Sequence, residues 1–167
     1  TPDVVTLGKG FGNGFPVTAM LVSDRFKDQV EKISASTSYG GNPMACAAAV
    51  ASLEVILEEG LVERSAHLGD LLLARMAEMM GRHPLIGDVR GMGLIIGVEL
   101  VLDNKAPAAK AAGAVVEKAK DKGLLFTKGG IYGNVLRLLP MLTISKSQVD
   151  EAVRIIDECV DEVERQK

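Results

Sequence analysis

One lysine, Lys9, stands among four glycines, Gly8, Gly10, Gly12 and Gly14, between the apolar run Val4 to Leu7 and the pair Phe15 and Pro16. Glycine costs about 0.5–1 kcal/mol wherever it replaces an ordinary residue in a regular element, so this density serves close approach or unusual backbone dihedrals. Three readings compete for Lys9. It can be a surface lysine on a mobile loop. It can belong to a phosphate loop, but Gly8 and Lys9 are preceded by Asp3 and followed by Gly10, so the pattern Gly-x-x-x-x-Gly-Lys-Ser/Thr is not met. It can be a Schiff-base lysine, whose amine must be partly desolvated and must reach a carbonyl held over the loop.

Two further sites carry chemistry. Thr37 and Ser38 precede Tyr39, Gly40, Gly41, Asn42 and Pro43, which places two hydroxyls on a loop ahead of a helix. Hydroxyls and free helix amides there suit a phosphate, although Ser and Thr also form local turn and cap bonds. Arg137 lies in the apolar stretch Val135 to Leu139, where an unpaired guanidinium is costly and something anionic should meet it. Either a protein carboxylate or a substrate carboxylate answers that description. Cys46 and Cys159, in helical contexts far apart, read as small buried apolar groups, and with only His67 and His83 no metal-ligand spacing exists. The two histidines read as helix-surface or turn residues, and Arg90 as structural.

The elements that must position these residues follow from the pattern. Val4 to Leu7 and Val17 to Val22 read as buried strands, and Ser23 to Phe26 as the start of a short helical or turn segment. Residues 34–42 form a loop, Asn42 caps a helix with Pro43 in its first turn, and that helix runs to about Glu58. It is apolar nearly all round, as in a helix buried in a larger body. Gly60 breaks it. A second helix from Leu61 to about Met80 places Leu61, Leu68, Leu72, Met76 and Met79 on one stripe. After Gly81 and Pro84 come a strand from about Leu94 to Val101, a helix from Ala108 to Lys122, short strands at Leu124 to Phe126 and Val135 to Leu138, and a last helix. Ser145 or Ser147 caps that helix, and Val149, Val153, Ile156, Val160 and Val163 face inward.

The stretches DVVTLGKGFGNGFP (3–16) and TSYGGNPMACAAA (37–49) together closely resemble the class III, omega-amino-acid type, pyridoxal-phosphate-dependent aminotransferases. The resemblance covers almost the whole chain and implies an α/β protein of the PLP-dependent transferase fold type I, of which the chain is the second half. Residues 1–59 would be the C-terminal part of the large PLP-binding domain, and residues 60–167 a connecting helix and the small C-terminal α/β domain. It implies that Lys9 carries pyridoxal 5'-phosphate and moves the proton during transamination. The hydroxyl before the aromatic residue, here Ser38 rather than the family's threonine, with Thr37 one earlier, would bind the cofactor phosphate of the neighbouring subunit. Arg137 would bind a substrate carboxylate. The reaction implied is ping-pong transfer of an amino group from an amino acid, ω-amino acid or amine to a 2-oxo acid. Other enzymes of the fold, decarboxylases and aminomutases, and a non-catalytic segment retaining the motifs are the alternatives.

The same resemblance places the cofactor-stacking aromatic and the aspartate for the pyridine nitrogen upstream of Thr1. The partners implied are therefore the N-terminal half of the same enzyme and at least a second copy, in a homodimer or higher homo-oligomer. Alone, the segment is expected to be inactive and to aggregate or stay partly unfolded. With 167 residues, 47% hydrophobic, and a net charge of -3 spread without blocks, the chain carries no nucleic-acid footprint. No signal peptide or membrane span is visible, and cysteine usage fits a reducing compartment, the cytoplasm or an organellar matrix.

Overall fold

The computed structural model describes residues 1–32 and 37–166, so the expected loop at 34–42 lies partly outside the described residues. The chain divides into two units, Thr1–Gly60 and Leu61–Lys167.

In the first unit, β1 (Val4–Leu7) and β2 (Ala19–Val22) form a two-stranded antiparallel sheet in which Val4 faces Val22 and Leu7 faces Ala19. Ser23 N donates to Asp3 O at 2.9 Å, and Arg25 pairs with Asp3 at 2.6 Å, closing the open end. These strands were expected to be buried, yet Val4, Met20 and Leu21 are exposed. Two strands cannot cover both of their own faces. A 3₁₀ helix spans Asp24–Lys32. The helix α1 (Pro43–Glu58) begins as its sequence dictates, with the Asn42 side chain accepting from Met44 N and Ala45 N at 3.1 and 3.2 Å. Only Ala45 and Ala49 of α1 are buried, and Met44, Val50 and Leu57 stand exposed. Cys46 is exposed too, which corrects the expectation of a buried thiol, because it sits on a different helix face from Ala45 and Ala49.

The second unit is a four-stranded antiparallel sheet covered on one face by three helices. Helix α2 (Leu61–Met80) leads into the strands β3 (Ile86–Met92) and β4 (Ile95–Leu100), then α3 (Ala109–Asp121), β5 (Thr127–Gly129), β6 (Val135–Leu138) and α4 (Lys146–Glu164). The sheet order is β3-β4-β6-β5. Strand alternation turns Ile96, Val98, Leu100, Leu136 and Leu138 toward the helices. There they meet Leu72, Met76 and Met79 of α2, Ala112, Val115 and Ala119 of α3, and Val149, Ile156 and Val160 of α4. Cys159 lies in this core, and burial pushes its thiol pKa up. Helix α4 opens with a capping box between Ser145 and Gln148.

The structure adds one strand and moves another. The sequence pattern misses β3, because Gly87, Asp88, Arg90 and Gly91 dilute its apolar signal. At Gly91 a side chain would not fit: a Cβ there would stand 2.3 Å from Ile95 O. The strand expected at Leu124 to Phe126 instead forms at Thr127–Gly129. Leu124 N is taken by Ala119 O at 2.9 Å as part of the stop of α3, where Gly123 has φ +85, so pairing starts only where Thr127 meets Arg137.

Candidate active site

Lys9 opens a single 3₁₀ turn, Lys9–Gly12, that follows β1 through Gly8. The turn is closed by Phe11 N to Gly8 O and Asn13 N to Gly10 O, both at 3.1 Å. Lys9 itself has φ +53, in the left-handed region that a side-chain-bearing residue adopts at a cost of about 1–3 kcal/mol. Such a residue persists only where its surroundings over-determine it. Here they do. Gly12 is buried, and a Cβ on it would come within 2.5 Å of Val17 Cγ1, so the turn is pressed against the chain returning to β2.

The Lys9 side chain is exposed and has no hydrogen-bond or ion-pair partner among the described residues. It borders two open concavities, one of about 360 Å³ against Phe15, Pro16 and Val17, the other of about 600 Å³ against Thr6, Met20 and Ala19, with Thr18 shared by both. Around Gly10 and Gly14 nothing stands within 4 Å of where a Cβ would be. A flat group the size of a substituted pyridine would here meet bare backbone beside an unengaged amine. These residues fit pyridoxal phosphate.

Helix α1 packs against the turn that carries Lys9. At its N-terminus Asn42, not Thr37 or Ser38, supplies the cap. Thr37 and Ser38 are exposed, and neither hydroxyl makes a hydrogen bond among the described residues, while the Thr37 methyl lies over Gly40. Tyr39, next in the chain, is 85% exposed.

Arg137 belongs to the second unit. Its neighbours Leu136 and Leu138 point into the core, so alternation puts its side chain on the opposite, open face of the sheet, where it is exposed. The burial expected from its apolar flanks is not what the fold produces. Arg137 Nε donates to Thr127 Oγ1 at 3.3 Å, and no carboxylate reaches the guanidinium among the described residues. Arg90 on the same face is paired with Asp88 and, at 2.8 Å, with Glu99, in keeping with a structural role. Thus Lys9, Thr37 and Ser38 lie on one unit and Arg137 on the other. The pattern reading missed Thr127, whose only sequence signal is a β-branched hydroxyl two residues before a Gly-Gly turn.

A profile of the family Aminotransferase class-III matches residues 1–160. The chain belongs to the class III aminotransferases, the pyridoxal-phosphate-dependent family of fold type I. It is 40% identical over 163 residues to a 5-aminovalerate aminotransferase of Pseudomonas putida, covering 97% of this chain and 38% of that protein. It is 39% identical over 158 residues to the mitochondrial alanine–glyoxylate aminotransferase 2 of Homo sapiens, covering 92% and 31%. A crystal structure of a Bacillus anthracis aminotransferase superposes with a TM-score of 0.89 at 36% identity, over 96% of this chain and 39% of that one. The chain spans less than two fifths of the length of these relatives.

Proposed function

We propose that this chain forms part of an aminotransferase that moves an amino group from an amino acid, ω-amino acid or amine to a 2-oxo acid in two half-reactions. The observation that carries the proposal is the unengaged amine of Lys9, held in left-handed backbone over bare glycine. When bound, pyridoxal phosphate supplies an electron sink for the negative charge left on the substrate carbon that loses its proton. Lys9 Nζ would be the point of covalent attachment and, once released, the base that takes the proton from that carbon and delivers it to the carbon on the other side of the transferred nitrogen. Gly10 and Gly14, with open space where a Cβ would be, would let the cofactor ring approach the backbone closely. Ser38, with Thr37 beside it, donates a hydroxyl hydrogen to the cofactor phosphate, in a second copy of the chain. Arg137 grips the substrate carboxylate.

In this reading residues 1–59 complete the large cofactor domain, and residues 60–167 form a connecting helix and the small domain. The N-terminal part of the enzyme and a second subunit are its partners, and the amino donor and 2-oxo acid its substrates. The reducing interior of a cell, cytoplasm or organellar matrix, is its setting; the human relative named above is mitochondrial.

The test is absorption of the full-length protein before and after borohydride, with mass analysis of the peptide containing Lys9. A visible band fixed by reduction, and a pyridoxyl mass on Lys9, are expected. Lys9→Ala should lose the fixed band and about 10²–10⁴-fold in rate. An unmodified Lys9 in a protein supplied with cofactor would overturn the reading.

A further inference from the structure

Thr127 and Arg137 stand directly opposite each other in the antiparallel β5–β6 pair, and their side chains therefore leave the sheet on the same face. That face is otherwise poor in contacts for a guanidinium. Gly97 lies opposite Arg137 on the β4 side, and Gly129 is the next residue of β5 on this face. The Arg137 chain runs over Gly129, whose missing side chain would sit 3.9 Å from Arg137 Cδ. The other arginine of the face, Arg90, is neutralised by Asp88 and Glu99. Lys128 pairs with Leu136 in the register, and so starts from the opposite face. Arg137 is thus the uncompensated cation of this surface among the described residues, and its one polar contact is Thr127 Oγ1.

We propose that Thr127 is a positioning residue for the substrate-binding guanidinium. It engages Nε and leaves the two Nη groups as the pair of parallel donors presented to a carboxylate. An arginine can meet a carboxylate side-on, through Nε and one Nη, or end-on, through both Nη groups. With Nε donated to Thr127, the end-on pair is the one left free. Threonine suits this task because its branched Cβ restricts χ1, and a strand fixes the backbone beneath it. The ordering of a long, flexible arginine is then met in the folded protein rather than at the moment of binding.

The proposal rests on Arg137 binding a substrate carboxylate, and the experiment separates the two. Full-length enzyme is prepared as Thr127→Val, which keeps the shape and removes the acceptor, Thr127→Ser, which restores it, and Arg137→Gln. Pyruvate is the probe, by calorimetric Kd and by KM and kcat, with acetaldehyde as the analogue lacking the carboxylate. Thr127→Val should raise Kd and KM for pyruvate by about 3- to 10-fold, with kcat moving less, KM for acetaldehyde unchanged, and Thr127→Ser close to the parent. If Arg137→Gln weakens pyruvate and Thr127→Val does not, the positioning role falls while the role of Arg137 stands. Equal losses for pyruvate and acetaldehyde in Thr127→Val would likewise overturn it, as a general structural defect. If Arg137→Gln leaves pyruvate binding unchanged, the assignment of Arg137 fails and the role of Thr127 fails with it.

Discussion

His83 Nδ1 lies 2.8 Å from Glu164 Oε2, joining the turn after α2 to the last residue of α4 across 81 positions of sequence. The other ring nitrogen, Nε2, lies 2.8 Å from Asp157 Oδ1, and Arg82 bonds the same carboxylate at 3.1 Å. Glu164 Oε1 also accepts from Leu85 N at 2.8 Å. With a carboxylate against each nitrogen, both nitrogens donate, which takes the doubly protonated imidazolium. His83 is only 6% exposed, which corrects the expectation of a helix-surface or turn residue.

The clasp predicts a pH dependence. Burial alone would lower the His83 pKa, but the hydrogen bonds and charges of Glu164 and Asp157 outweigh it and raise the value above the ordinary 6.5. The stabilisation is therefore fully present below about pH 6.5 and is lost as the pH rises through the raised folded value. Burial would raise the Asp157 pKa, yet His83 and Arg82 bring it below 3.8, so its contribution is present above that value and is lost as the pH falls through the lowered one. Histidine NMR on the full-length protein should show His83 titrating above the ordinary 6.5. His83→Ala should cost about 1.5–3 kcal/mol at pH 6 and less at higher pH. A pH-independent loss would sink the assignment.

A second prediction concerns the contact of α2 with the β3–β4 hairpin. A Cβ on Gly69 would fall 2.2 Å from Gly93 O and 2.6 Å from Gly93 Cα, both backbone atoms that cannot swing aside. Gly93 is itself at φ +53, and Ser65 Oγ accepts from Leu94 N at 3.3 Å. Gly69→Ala should therefore push the hairpin off α2 and cost about 1–3 kcal/mol, whereas Ala66→Gly on the exposed side of the same helix should cost only about 1 kcal/mol. Urea unfolding of the two variants gives the comparison, and equal losses would refute it.

What the sequence made legible divides along physical lines. The helices α1, α2 and α4, with the Asn42 and Ser145 caps, are readable because period and capping are local properties of neighbouring residues. The Lys9 turn is readable because only glycine tolerates its closeness at Gly12. Strand β3 was hidden because Gly87 and Gly91 are chosen for what lies across the sheet. The same holds for Thr127, the His83 clasp, and Asn134, which is 2% exposed and donates from Nδ2 to Leu100 O at 2.9 Å. Each is defined by a partner in a different element, and no local pattern announces it.

The cap of α1 yields a third prediction. Asn42 Oδ1 satisfies two of the helix's first amides, so Asn42→Ala should cost about 1 kcal/mol and loosen the turn that carries Thr37 and Ser38, whereas Asn42→Asp should retain the cap. Hydrogen exchange at the amides of Met44 and Ala45 should quicken in the alanine variant alone. Exchange unchanged in Asn42→Ala would show that other contacts hold this helix end.

The last prediction lies on the seam between α3 and α4. Glu162 receives Lys118 Nζ at 2.8 Å on one oxygen and Lys122 Nζ at 2.9 Å on the other, while Lys122 also reaches Glu158 at 3.0 Å and Arg154 pairs with Glu158 at 2.5 Å. Hydrogen bonds from Lys118 and Lys122 lower the Glu162 pKa to about 2. Lys118 also stands in the last turn of α3, where the helix dipole favours a cation. The contribution of Glu162 is present above its ordinary value of 4.5 and fades as the pH falls toward about 2. Carboxyl NMR titration should find Glu162 still ionised well below the ordinary 4.5. Lys118→Ala combined with Lys122→Ala should return Glu162 toward 4.5, and raised salt should move it in the same direction, because the side chains of the network are partly exposed to solvent. A Glu162 that titrates at the ordinary 4.5 in the parent protein would show that the lysines do not hold it.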